Sequence, residues 1–267
     1  MDTRGAGPVS QPRRGRRLLP LGGLVIATFL GVAEPVLASP STTPAPAPGQ
    51  TATATPAATT TSQASPPTTA ATTRILNVPL YTQTLALSCE EAALRMALAS
   101  EGIYTTDSQI LAMIGTDTRS AYVDASGLHW GNPYTSFVGD PSGSQVDLSG
   151  YGTYYPTIAR AATSMGGQVI AAGEGISPSG VYAAVLAGHP VVAWVTYQWV
   201  SAERSDYTAF DGTVIPYAGP VEHAVTIVGV TPTQVYVNNP DVGVEIIPKS
   251  LFEASYATYN YMAVILK

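Results

Sequence analysis

Residues 74–267 predict an α+β domain in which a helix packs on an antiparallel sheet. Helical apolar spacing fills the first part of this stretch, and consecutive strand-like runs joined by Thr, Pro, Asn, Asp and Gly turns fill its end. The stretch also has the length of one domain with a substantial core.

The elements are taken in chain order. Ile75-Leu76-Asn77-Val78-Pro79-Leu80 reads as a short edge strand, because Pro79 has no N–H to give a ladder. After a polar turn, residues 89–100 are apolar at Ala92, Ala93, Met96, Ala97 and Leu98, a helical pattern that Gly102 ends. Thr106-Asp107-Ser108-Gln109 has the form of a capped start for a second helix through Ile114. Residues 116–153 mix Gly, Ser, Asp and aromatic residues without a period and predict a long, shaped surface loop. A helix is expected from Pro156 to Met165, a strand from Gly167 to Ala171, and a helix from Ser177 to Ala187 closed by Gly188. Residues 190–196 read as a buried strand, and further strands are expected at 224–230, 234–237, 244–248 and 261–266.

What precedes this domain reads as an address and a tether. Arg13, Arg14, Arg16 and Arg17 form a basic region, 18–30 a mostly apolar stretch, and Val36-Leu37-Ala38 a small-residue cleavage site, so residues 1–38 predict a secretory signal peptide. The apolar stretch is broken by Pro20, Gly22 and Gly23 and is short for a membrane span, which points to removal rather than a stable transmembrane anchor. Arg16-Arg17-Leu18-Leu19 matches a twin-arginine signal loosely, and ordinary secretion fits better. Residues 39–73 are nearly all Thr, Ala, Pro, Ser and Gln with no charge, a composition that cannot offset its ordering entropy and predicts a disordered linker. Such a linker would let the domain associate with a cell wall, or act as a plain spacer. Residues 74–267 carry seven Lys/Arg against sixteen Asp/Glu, a net charge of −9, and an acidic surface of that kind excludes nucleic acid as a partner.

The only cysteine, Cys89, stands where the first helix begins, and with no second thiol it has no internal disulfide to form. A helix start lowers a thiol pKa, which favours chemistry; a small buried core residue is the competing reading. A thiol nucleophile needs a base, a group that orients the base, and donors for the oxyanion. His223 directly precedes the run 224–230, which would hold its imidazole at the mouth of a strand. The next strand ends in Asn238-Asn239-Pro240-Asp241, where Asn239, ahead of its rivals Asn238 and Asp241, would orient the ring. Gln83 would supply an amide donor beside the Cys89 backbone N–H. His189 reads as a turn residue, and His129 as lining a cleft or filling a loop. The cysteine and the three scattered histidines lack the spacing of a zinc site, so neither metal nor cofactor is expected. Trp130, Tyr134, Tyr151, Tyr154 and Tyr155 would line an aromatic cleft or pack within a loop.

Val78-Pro79-Leu80-Tyr81-Thr82-Gln83, Ser88-Cys89-Glu90, Gly188-His189-Pro190-Val191-Val192, Glu222-His223-Ala224-Val225 and Val237-Asn238-Asn239-Pro240 together resemble cysteine peptidase family thirty-nine. More narrowly, they resemble the papain-like, stand-alone relatives of the bacteriocin-processing double-glycine peptidases. Phe137-Val138-Gly139-Asp140 and Gly150-Tyr151-Gly152 look like the secreted branch, and the resemblance spans nearly all of 74–267. It implies a papain-like cysteine peptidase fold, with the cysteine on an N-terminal helix and the histidine and asparagine on the sheet. It also implies Cys89 as nucleophile, His223 as base, Asn239 as the orienting residue and Gln83 in the oxyanion hole. Two positions depart from it: many relatives have glycine where this chain has Glu90, and many have aspartate where it has Asn239. An asparagine orients a neutral imidazole but stabilises an imidazolium less than a carboxylate does. The expected protein is a secreted or cell-surface thiol hydrolase acting on a peptide or protein substrate. A cell-wall peptide amidase or acyltransferase, and a tethered binding module that has kept only the fold, are the alternatives.

Overall fold

The structure is a computed structural model that describes residues 73–267. The export signal expected over 1–38, and the linker expected over 39–73 apart from Thr73, lie outside the described residues. In chain order the elements are β1 (Arg74–Ile75), α1 (Cys89–Ser100), α2 (Asp107–Ile114), β2 (Thr116–Asp117), β3 (Tyr122–Asp124), β4 (Gly127–Trp130), β5 (Phe137–Val138), α3 (Tyr155–Ser164), β6 (Val169–Gly173) and α4 (Pro178–Ala187). Then come β7 (Val191–Thr196), β8 (Ser205–Ala209), β9 (Val214–Tyr217), β10 (Glu222–Val230), β11 (Gln234–Asn239), β12 (Gly243–Pro248), α5 (Lys249–Ala257) and β13 (Ala263–Leu266). Among the described residues, no helix is long and apolar enough to cross a membrane.

The main sheet runs β12-β11-β10-β7-β13-β6, and β1 pairs with the far end of β10; every pairing is antiparallel. All six residues of β7 are buried, and strand alternation divides them between two faces. Val192 and Trp194 pack into a core with Ala93, Leu94 and Ala97 of α1 and Ile158 of α3. Val191, Ala193 and Val195 pack with Val181 and Val185 of α4 and Phe252 and Tyr256 of α5. At about 1.5–3 kcal/mol for each large apolar side chain taken out of water, this two-sided burial ties both helical layers to β7. The expected α+β class is therefore present, with helices on both faces of the sheet.

Three regions differ from the sequence expectation. The stretch 116–153 is not one loop: β3 and β4 join β8 and β9 in a second, four-stranded sheet, and β2 pairs with β5. Strands of two to four residues are too short to show a period. The helix α5 falls in an interval read as mostly β; its buried Phe252, Ser255 and Tyr256 stand three and four apart, a helical stripe only nine residues long. The strand expected over 75–80 is shorter, although Leu76 N–H still donates to Val228 O at 2.7 Å.

Candidate active site

Cys89 is the first residue of α1 and is 4% exposed. The loop ahead of it is fixed from α2, whose Asp107 carboxylate accepts from the Thr84 N–H (2.8 Å), the Thr84 hydroxyl (2.9 Å) and the Ser88 hydroxyl (3.3 Å). Charge-assisted bonds to one buried carboxylate set where residues 84–88 hand over to the helix. The sulfur itself turns to carboxyls: Cys89 Sγ donates to Glu90 Oε2 at 3.2 Å, and the sulfur, a Glu90 oxygen and a Glu222 oxygen lie within 4.8 Å of one another. Burial pushes the thiol up, and Glu90 and Glu222 push it further; the Ala224 backbone N–H works the other way. The lowered thiol pKa expected of a helix start is overturned here, because a helix dipole contributes about 0.3–1 kcal/mol at an exposed end while full desolvation moves a group by several pKa units.

His223 is the second residue of β10, inside the strand rather than ahead of it, and is also 4% exposed. Its Nε2 donates to Asn239 Oδ1 at 2.9 Å. The tautomer follows from the partners of Asn239: Oδ1 also accepts the Asp241 N–H at 3.0 Å, and Nδ2 donates to Glu245 Oε2 at 2.6 Å. An amide so engaged leaves its oxygen toward the ring, so the proton sits on Nε2 and Nδ1 keeps a lone pair. Trp199 Nε1 donates to the other Glu245 oxygen at 3.1 Å, and Tyr197 stands edge-on against the imidazole with ring centroids 5.4 Å apart. Burial holds the imidazole below its usual pKa, against the upward pull of Asn239, Asp241 and Glu245.

Asn239 ends β11 rather than sitting in the following turn. Asn238 points elsewhere and donates from Nδ2 to Val78 O at 3.0 Å, while Asp241 accepts from the Tyr197 hydroxyl at 2.8 Å. Gln83 is tied to the same turn, its N–H donating to Pro240 O at 2.9 Å. Its side-chain amide donates to Leu85 O (3.0 Å) and Ala86 O (2.9 Å), so both amide protons serve the loop before Cys89. Gln83, Cys89, His223, Tyr197 and Asp241 line one cavity of about 300 Å³. The four residues singled out in the sequence thus meet around one space, through the Asn239–His223 bond and the shared lining.

Glu245, Glu91 and Glu222 carry no role in the sequence expectation. For Glu245 the signal was a carboxylate among the inward positions of a strand whose Val244 and Ile246 are exposed. Glu91 and Glu222 are buried, and both oxygens of Glu91 and one of Glu222 have no hydrogen-bond partner. Burial raises the pKa of both, and raises Glu90 to about 7. Cys89 Sγ with the Glu90 and Glu222 carboxyls is, among the described residues, the one set of metal-donor atoms that converges.

The rival residues fall elsewhere. His129 stacks on Tyr122, with ring centroids 4.8 Å apart, and pairs with Asp124 on the second sheet. His189 follows the left-handed Gly188 that ends α4, and its N–H donates to Ala184 O at 3.0 Å. Trp130, Tyr151 and Tyr154 are fully buried core residues and do not line the cavity.

Residues 75–264 match the profile of the peptidase C39-like family. A comparison with curated proteins gave no match. Among solved structures, a protein from Bacillus anthracis described as a C39-like peptidase shares 24% identity and superposes with a TM-score of 0.63, covering 73% of this chain and 98% of its own. The double-glycine-motif protease of an AMS/PCAT transporter, solved with a leader peptide, shares 16% identity (TM-score 0.40; 72% of this chain, 91% of that one). The peptidase domain of Streptococcus ComA, a bifunctional ABC transporter of a quorum-sensing pathway, shares 14% (TM-score 0.42; 70% and 94%). The fold, with Cys89 on the first helix and His223 and Asn239 on the antiparallel sheet, is the papain-like one.

Proposed function

The chain belongs to the peptidase C39-like family, and on that premise we propose that it is a secreted thiol hydrolase, a peptidase that cleaves a peptide bond through an acyl-enzyme on Cys89. In the first step His223 Nδ1 takes the thiol proton and the sulfur attacks the substrate carbonyl carbon, forming a C–S bond. The oxyanion is met by the Cys89 N–H, which a helix start leaves free of intrahelical bonding, and by the Gln83 amide once it gives up one loop carbonyl. The imidazolium then protonates the leaving amine as the C–N bond breaks. In the second step His223 takes a proton from water as its oxygen attacks the thioester carbon; the C–S bond then breaks, the acid leaves, and the imidazolium returns its proton to the sulfur.

The observation that carries this reading is a single cavity lined by the sulfur and by an imidazole whose tautomer Asn239 sets. Secretion rests on the basic, apolar and small-residue segments of 1–38, and the uncharged stretch 39–73 would hold the domain at a cell wall. The test is an electrophilic peptide library followed by hydrolysis of the peptides it selects. Cys89→Ala should lose both the adduct and turnover, and His223→Ala should lower turnover by about 10²-fold or more. Hydrolysis that survives Cys89→Ala would sink the reading, and full activity in His223→Ala would remove the base.

A further inference from the structure

Two carboxyls are buried around the sulfur, Glu90 on α1 and Glu222 on β10, and a third buried carboxyl, Glu91 of α1, interacts with both. Glu90 is held in place, its Oε1 accepting the Thr153 N–H at 2.5 Å while Oε2 faces the thiol. Glu222 accepts from the Gln145 amide at 3.2 Å and keeps its other oxygen unpartnered. Gly152 closes the pocket: a Cβ there would run into Glu90 Oε1 and come within 2.9 Å of Glu222 Oε2. The other titratable groups that face the cluster are Tyr151, Tyr154 and Tyr259, and Asp107 of α2 faces Glu91. Arg95 is engaged by Asp107 at 3.3 Å. The His223 ring is faced by Asp241 and Glu245.

Resting on the reading of Cys89 as nucleophile, we propose that Glu90 is a positioning residue that parks the thiol away from His223 and releases it when the Glu90–Glu222 pair takes up a proton. With the pair fully ionised, the thiol donates to a carboxylate, and a thiolate in its place would face like charge at 3.2 Å. With Glu90 protonated, the same contact reverses direction: the carboxylic O–H donates to the sulfur, and the thiolate formed when His223 Nδ1 takes the proton is stabilised. The reactive pair therefore belongs to the acid side of the Glu90 titration, which burial has moved up to about 7.

The experiment is the rate of Cys89 alkylation by iodoacetamide against pH, with EDTA present. An ordinary thiol reacts faster as pH rises. The wild-type protein should instead react about tenfold faster near pH 5.5 than near pH 8, the effect of one pKa unit. Glu90→Gln keeps an oxygen for the Thr153 N–H and puts an N–H opposite the sulfur, and should hold the two rates within about twofold. Glu222→Gln, a second variant should Glu90→Gln not fold, should move the reversal to lower pH. A wild-type rate that climbs steadily with pH, or a Glu90→Gln profile that keeps the reversal, overturns the proposal. Alkylation needs no substrate, so a protein with the reversal and no peptide hydrolysis would refute the hydrolase reading alone. Hydrolysis with a steadily climbing profile would refute the parking alone.

Discussion

Asn239 bonds through both atoms of its amide, to His223 on one side and to Glu245 on the other. A neutral amide stabilises an imidazolium less than a carboxylate would, but Glu245 stands one hydrogen bond behind it and supplies a charge at second hand. Glu245→Gln should therefore leave KM unchanged and lower kcat by roughly tenfold, about 1.4 kcal/mol, with the acid limb of the pH profile moving down as the imidazolium loses that support. Steady-state kinetics across pH would check this, and a change confined to KM would refute it. That Cys89, His223, Asn239 and Gln83 meet around one cavity was legible in the sequence, because a cysteine at a helix start, a histidine at a strand start and an amide after the next strand stand in a recognisable order beside predictable elements. The Glu90 contact was not, because it depends on residues brought together only in space: Glu222, which meets the sulfur, and Thr153, whose N–H holds the Glu90 carboxyl.

At the scale of elements, α1 and β10 carry the two halves of the candidate site, and Thr226 joins them, its hydroxyl donating to Ala93 O at 2.8 Å. Thr226→Val keeps the shape and removes the donor. Thermal melts should show a loss of about 1–2 kcal/mol, or roughly 3 °C for each kcal/mol in a domain of this size. If the variant melts with the wild type, the bond is not what couples helix to strand. The capped start of α2 was legible because Thr106 and Gln109 form a capping box that depends on local sequence alone. Both β10 and β11 extend past the expected ends to include His223 and Asn239: Asn239 pairs with Gly243 across the short β11–β12 turn, and His223 with Val195, a partner distant in the chain that local sequence does not reveal. The second sheet escaped notice for the same reason, its parallel β4–β8 contact joining residues almost eighty positions apart.

For the whole molecule, the buried carboxyls give stability a definite dependence on pH. Glu90 titrates near 4.5 when exposed and at about 7 in the fold, so the folded state holds its proton more tightly. That contribution is complete below 4.5 and is lost as pH rises through about 7, on the order of 3 kcal/mol for Glu90 alone, with Glu91 and Glu222 acting in the same sense. His223 acts in the opposite sense, since a depressed imidazole costs stability as pH falls through 6.5. The lowered carboxyls of Asp117, Asp124, Asp147 and Asp211 matter only below about their ordinary 3.8. Three groups against one should place the highest Tm near about pH 5, with a decline toward about pH 8 that Glu90→Gln shallows. A Tm that rises over that interval would count against ionisation inside the fold. The shielded sulfur has one more consequence. Peroxide attacks thiolates, and a thiol kept protonated behind carboxylates is a slow target for it. A chain with no second cysteine also offers no internal partner to trap an oxidised intermediate. At neutral pH such a protein would keep its only thiol reduced in air without added reductant.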